Sequence, residues 1–443
     1  MRNLLRCRRG SVALATVIAL VPLIGVVALG GEAASWYVTK QFAQNAADTA
    51  AYSGGLWLAC SLAPSTCTAD TQSMDYRGKE FAAQNAFCDT GDSTAYPGRR
   101  CASLPSGTSQ TVVIAAVGAD SVKATVAQTQ PVYLAKVLGF STVTIGASAT
   151  AQVIKLANPC VLSLTDPVAF QGSTTVKAQN CGLSSNSTAS NAIDFTGNGL
   201  DVSKAGPISG VGGCAQTAGT QCSKAITFAS PIINPLKGLD PAVLSLTTAD
   251  FSGGACGSTL KAYGPTSACY NTSFPAGNQT LNGVYFFAGN GSVTISGSVT
   301  ITGTATLILL GPKFLNNGDK GATLAFNGNP TITLTALSSV SATQVPTKLT
   351  TPSILALLSG LLIYDPETTD KNHVVTISGN STSSFTGVTY APNADIVYQG
   401  STVSSTCVEV IAKGITLSGN SNFDNSGCPA SSKIVSQYVR LVQ

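Results

Sequence analysis

The chain has 443 residues, a net charge of +4 and only 10% charged side chains, against about a quarter in an ordinary globular protein. That length calls for several structural units, and so little charge alongside 44 glycines excludes a charge-rich disordered chain. Arg2, Arg6, Arg8 and Arg9 account for the positive excess, so the remainder is near neutral and offers no basic patch for nucleic acid.

Directly after those arginines, Ser11 to Gly31 contains no charge. As a helix rising about 1.5 Å per residue it reaches roughly 30 Å, one hydrocarbon thickness. The pattern predicts a cytoplasmic stub over 1–9 and a transmembrane helix over 10–31, with Arg8, Arg9, Pro22 and Trp36 as its anchor residues. A cleaved signal peptide is the competing reading, but its apolar region is only about 7–15 residues long. The expected location is a bacterial inner membrane, crossed once, with the N-terminus cytoplasmic and the rest periplasmic or surface-exposed.

Residues 32–107 read as a helical stem with disulfide loops. One helix covers 32–59, weakened near its end by Gly54-Gly55, and a second covers Asp70 to Phe87, the two packing together. Residues 108–156 form a small α+β unit, with strands at Thr111–Ile114, Ser121–Gln128 and Thr142–Ile154 and a short helix at Val132–Leu138.

From 157 to 443 the chain turns mainly β. A phrase of apolar residue, Ser/Thr/Asn, Gly, then Asn/Ser/Thr recurs at Phe195, Ile295, Ile301, Phe326, Ile377 and Leu417. Such repeats predict a right-handed parallel β-helix-like solenoid, with a β-sandwich as the alternative. Pro352 to Tyr364 is apolar but too short to cross a bilayer, and reads as a short helix entering a buried strand.

Cys7 precedes the anchor, and the other twelve cysteines fall into close couples in a disulfide-permissive compartment. The expected bridges are Cys60–Cys67, Cys88–Cys101, Cys160–Cys181, Cys214–Cys222, Cys256–Cys269 and Cys407–Cys428, with free buried thiols as the other reading. No Cys-x-x-Cys pair or neighbouring histidine supports a zinc site.

Arg8-Arg9-Gly10-Ser11, the apolar run with Pro22, QFAQNAADTAAYSGG (Gln41 to Gly55) and VYLAKVLGFSTVTIGASATAQVIKL (132–156) together resemble Flp/tight-adherence pilus assembly proteins of the TadE/TadG type, and TadG in particular. The resemblance covers about the first 156 residues. It implies a membrane-anchored, non-catalytic structural component of pilus assembly or surface adhesion, with the inner membrane and other Tad assembly proteins as partners. Pilin-like members carry Glu five residues past the processing site, where this chain has Ala15, and the Asp-x-Ser-x-Ser motif of a von Willebrand-type domain does not occur.

Enzyme signals are thin. His373, the single histidine, sits in a polar loop. Ser258-Thr-Leu-Lys261 lacks a companion Lys-Thr-Gly, and Gly210 to Ala215 fits a dinucleotide fingerprint only as letters, in a turn. Asp365, Glu367, Asp370, Asp395 and Glu409 are the carboxylates that a tethered β-helix carbohydrate-active enzyme would gather at about 5–10 Å. The expectation is no catalytic, cofactor or metal residue. For binding, exposed Tyr390 and Tyr398 on flat β faces would contact a surface or carbohydrate ligand, and the small-residue helix at Ala46 to Ala50 would pack against other helices of an assembly.

Overall fold

A computed structural model describes residues 8–62, 70–101, 103–155, 158–178, 180–197, 200–264, 269–271, 274–289, 291–311, 314–315, 321–327, 330–366, 374–402, 406–430, 434 and 437–442. The chain separates into two compact units, 1–154 with 437–443, and 155–436.

In the first unit, helix α1 (Arg8–Leu62) continues without a break through Pro22, and α2 (Met74–Gln84) follows. Strands β1 (Ser109–Val117), β2 (Ser121–Pro131) and β3 (Thr142–Lys155) form an antiparallel meander, joined between β2 and β3 by a 3₁₀ turn at Ala135–Leu138. The turn ends at Leu138 as predicted, before Gly139 at φ 90°, but starts three residues later, because the N–H groups of 132–134 are held by Ser141 and Glu32.

The alanines explain why α1 can lie flat on this sheet. Ala43, Ala46, Ala47, Ala50 and Ala51 recur at helical spacing and are fully buried with Val122, Ala124, Val126 and Ala151. A β-carbon at Gly55 would come within 2.8 Å of Val439 Cγ1 and 2.9 Å of Ala151 Cβ. That close approach admits the final strand β20 (Gln437–Val442), which pairs as the fourth strand, in the order β1-β2-β3-β20. Sequence reading had assigned 157–443 whole to the solenoid; Val439 instead enters the core of the first unit.

The second unit is one sheet of sixteen strands. Its first half is β4 (Pro159–Ser163), β5 (Val168–Ala178), β6 (Gly182–Ser185), β7 (Ile193–Phe195), β8 (Asp201–Ala205), β9 (Ile208–Gly210), β10 (Cys214–Gln216) and β11 (Ala225–Ile226). After helix α3 (Leu239–Leu244) come β12 (Gln279–Phe287), β13 (Gly291–Ser296), β14 (Thr300–Leu309), β15 (Ala322–Asn327) and β16 (Thr331–Thr335). Helix α4 (Pro352–Leu358) precedes β17 (Leu361–Tyr364), β18 (Val374–Thr402) and β19 (Val408–Asn422). Every ladder among these strands is parallel.

The main path runs β11-β9-β6-β4-β19-β18-β16-β14-β12. Spatial order is therefore not chain order: the last strand of the unit, β19, lies between β4 and β18. Both faces are covered. Tyr285, Phe287, Leu307 and Leu309 enter one core, while Val284, Phe286, Ile308 and Leu310 enter a second that also holds Leu236, Leu239 and Val243. Two-sided burial accounts for the unbroken apolar runs in β12 and β14. Pro352 to Tyr364 is the helix-then-strand that its length predicts, with β17 fully buried.

Candidate assembly site

The first unit is braced at several points. Arg77 bridges Asp70 (Nε–Oδ2 2.6 Å) and Glu80 (Nη1–Oε2 2.7 Å), holding the chain before α2 to that helix. The guanidinium keeps the Asp70 carboxyl well below the usual range, at about 2. Asn85 Nδ2 donates to Thr49 Oγ1 at 3.0 Å, joining α2 to α1.

Nearer the N-terminus, Glu32 reaches from α1 to the β2–β3 connection. Its carboxylate accepts from the backbone N–H groups of Tyr133 (2.7 Å), Leu134 (3.1 Å) and Ala135 (2.9 Å). Those bonds, that from Tyr133 first, lower its pKa. Lys40 Nζ donates to the Gly146 carbonyl and makes a second tie.

Two surface features mark this unit. A cleft of about 450 Å³ is lined by Thr39, Phe42 and Asn45 from α1 and by Gln84, Arg100, Gln110 and Gln128, among others. Gln110 Nε2 donates to Gln128 Oε1 at 2.8 Å across paired strands, so a glutamine ladder forms part of its wall. Val38, Phe42, Asn45, Thr49, Tyr52 and Leu56 step along α1 by fours and threes, the spacing of a helix–helix seam. Val38, Phe42, Tyr52 and Leu56 are exposed. The small-residue face at Ala46 to Ala50, expected to meet other helices, is instead covered by the chain's own sheet and α2.

The large apolar side chains described on the first half of α1, Ile18, Leu20, Leu23, Val26 and Leu29, are exposed. The side chains of Arg8 and Arg9 are not among those described. Among the described residues no helix is long and apolar enough to cross a membrane.

Five cysteine couples are joined: Cys88–Cys101, Cys160–Cys181, Cys214–Cys222, Cys256–Cys269 and Cys407–Cys428. Cys67, expected to join Cys60, lies outside the described residues.

Three of the predicted carboxylates are described in the second unit. His373, Glu367 and Asp370 lie outside the described residues. Asp365 is buried beyond β17, Glu409 is fully buried in β19 opposite Val388, and Asp395 lies 3.9 Å from Lys413, which also meets Asp166 at 3.0 Å. Burial raises the Asp395 pKa against the pull of that lysine. Gly212 and Gly213 are turn residues pressed on backbone: added β-carbons would sit 2.1 Å from Ala189 O and 2.4 Å from Ser190 O. Strand β10, not a helix, follows them.

Tyr390 and Tyr398 are not exposed ligand platforms; both are buried. Tyr390 stacks on Tyr364 with centroids 5.3 Å apart. Their hydroxyls donate to Asp240 at 2.8 and 2.9 Å, and Asn234 Nδ2 donates to Tyr390 Oη at 2.8 Å. Burial raises the Asp240 pKa, and the two hydroxyls oppose that shift. Nothing in the run around Asp240 announces this role, since its partners lie over a hundred residues away.

Residues 10–59 match the Flp pilus-assembly TadE/G-like family, and residues 59–151 match the Tad-like Flp pilus-assembly family. The two matches abut and together span the helices and the β1–β3 meander. Over residues 10–151, about a third of its length, the chain is therefore similar to Tad-like Flp pilus-assembly proteins. No curated protein and no solved structure matches the chain.

Proposed function

We propose that the chain is a membrane-anchored, non-catalytic structural component of Flp/Tad pilus assembly or surface adhesion. The observation that carries this reading is the pair of family matches running end to end over 10–151. The uncharged stretch from Ser11 to Gly31 behind four arginines supports a single crossing with the N-terminus cytoplasmic. Its exposed Ile18, Leu20, Leu23 and Val26 fit a lipid-facing helix.

The second unit reads as a right-handed β-helix-like solenoid borne outside the membrane. Support comes from its parallel ladders, which set Gln279 against Ile301, Gly291 against Ala322 and Gly387 against Val408. The Val38–Leu56 seam is the surface for a partner helix from another assembly protein.

Gene deletion with pilus counting and attachment assays tests the role: loss of pili or attachment, restored by the full chain, is expected. Normal piliation and attachment would refute it.

A further inference from the structure

The β2–β3 connection combines exposed aromatic groups with a fixed position along α1. Tyr133 is 75% exposed, Phe140 60% and Leu134 42%, whereas Val132 and Ala135 between them are each 4% exposed. The two buried residues fasten the loop to the unit and leave the large apolar groups outside. Val132 N–H donates to the Ser141 carbonyl at 3.2 Å, closing the loop at its base. Lys136, also exposed, adds one cation to the same short segment.

Glu32 sets where this loop sits. It is the first charged residue after the uncharged stretch and belongs to the same continuous helix. Its three hydrogen bonds to 133–135 hold the loop beside the turn of α1 that ends the apolar run. If Ser11 to Gly31 crosses a bilayer, this position is the headgroup layer, where amphipathic rings and lysines settle.

We propose that Tyr133, Leu134 and Phe140 form a membrane-contacting loop that rests in the headgroup and upper acyl region of the leaflet from which α1 emerges, with Lys136 toward anionic headgroups. The inference rests on the anchor reading above and adds a second contact between the ectodomain and the lipid. The two contacts lie on separate segments of one braced unit, so they restrict how α1 can tilt or turn in the bilayer. A partner of another kind, such as a protein helix, would need no register with the end of the apolar run.

The test uses the full chain in nanodiscs of phosphatidylcholine and phosphatidylglycerol, with trifluoromethylphenylalanine at Phe140 or, separately, at Leu20. Fluorine NMR then reads broadening by an acyl-chain spin label or by a soluble gadolinium chelate. The expected result is strong lipid broadening and little chelate broadening at both positions. Lipid broadening at Leu20 with only chelate broadening at Phe140 overturns the loop contact and leaves the anchor standing. A Phe140 signal spared by both agents means protein covers it, which also overturns the proposal. Absence of lipid broadening at Leu20 overturns the anchor, and the loop inference with it. In Glu32→Ala most of the lipid broadening at Phe140 should be lost while that at Leu20 persists; unchanged broadening at Phe140 would overturn the positioning role of Glu32.

Discussion

Gly78 offers a sharp test of how the family-matched unit is packed. It lies inside α2, facing β1, and a β-carbon there would sit 2.6 Å from Ile114 Cγ1, 2.7 Å from Cδ1 and 3.1 Å from Cγ2. Rotation can carry the Cδ1 end away, but a β-branched side chain has few other χ1 wells to use. Gly78→Ala should gain about 1 kcal/mol of helix propensity and lose about 1–3 kcal/mol to overpacking. The net effect in the native background is a loss of up to about 2 kcal/mol. Ile114→Ala removes the obstructing atoms and alone should cost about 2–3 kcal/mol, the low end for such truncations because β1 is an edge strand. In that background Gly78→Ala should reverse sign and stabilise by about 1 kcal/mol.

The coupling between the two sites is therefore on the order of 1–3 kcal/mol. Because the two units need not unfold together, a local reading is required: amide hydrogen exchange across Met74–Gln84 in the oxidised full chain. Equal effects of Gly78→Ala in both backgrounds would refute the packing argument.

Three further outcomes concern the second unit. Asp240→Ala leaves the buried Tyr364 and Tyr390 hydroxyls without their shared acceptor, and should destabilise the unit by roughly 2–4 kcal/mol. Adding Tyr364→Phe and Tyr390→Phe should recover most of that loss, and a triple variant no better than the single one would refute the network. The folded pKa of Asp240 is raised, so the unfolded chain ionises first. Stability should therefore fall as pH rises from the ordinary carboxylate value through the raised one, a slope that Asp240→Asn abolishes in denaturant melts taken across that range. Selective reduction of Cys160–Cys181 and Cys407–Cys428 should raise hydrogen exchange in β4 and β19 before it does so in β12 and β14; uniform exchange, or a Cys160–Cys407 link by mass mapping, would refute the bridging scheme.

Local signals were legible because they depend on neighbours in sequence. The alanine stripe from Ala43 to Ala51, the alternation in 121–128 and the glycine after Leu138 each define an element, and the close cysteine couples read out as pairs. Tyr390 and Tyr398 are buried rather than exposed on flat β faces because Tyr398 enters one apolar core and Tyr390 the other, a two-sided cover that no local pattern reveals. The partners of Glu32 and Asp240 lie more than a hundred residues away, and their own surroundings in sequence carry no hint of them. The small-residue face of α1 was legible as a packing surface, but composition could not say that this chain's own sheet fills it.

The stacking order was hidden for a related reason. A parallel ladder gives each strand the same apolar character whichever coil lies beside it, so nothing in β19 records that β4 is its neighbour. That seam sets Val410 against Val161 and closes the largest loop in the second unit. It is also fastened by side-chain and backbone hydrogen bonds. Asn425 Nδ2 donates to the carbonyls of Asn158 and Pro159 at 3.1 and 3.2 Å, Asn180 Nδ2 donates to Asp424 Oδ2 at 2.9 Å, and Phe423 N–H donates to Lys177 O at 2.8 Å. On either side a bridge spans 21 residues, Cys160–Cys181 beside the paired strands β4 and β6 on one and Cys407–Cys428 across the two ends of β19 on the other. Neither bridge joins β4 to β19, but each restricts its own side of the seam before the two meet, which lowers the entropy lost when distant segments join. The cysteines that looked like simple staples thus stand where the chain must close on itself.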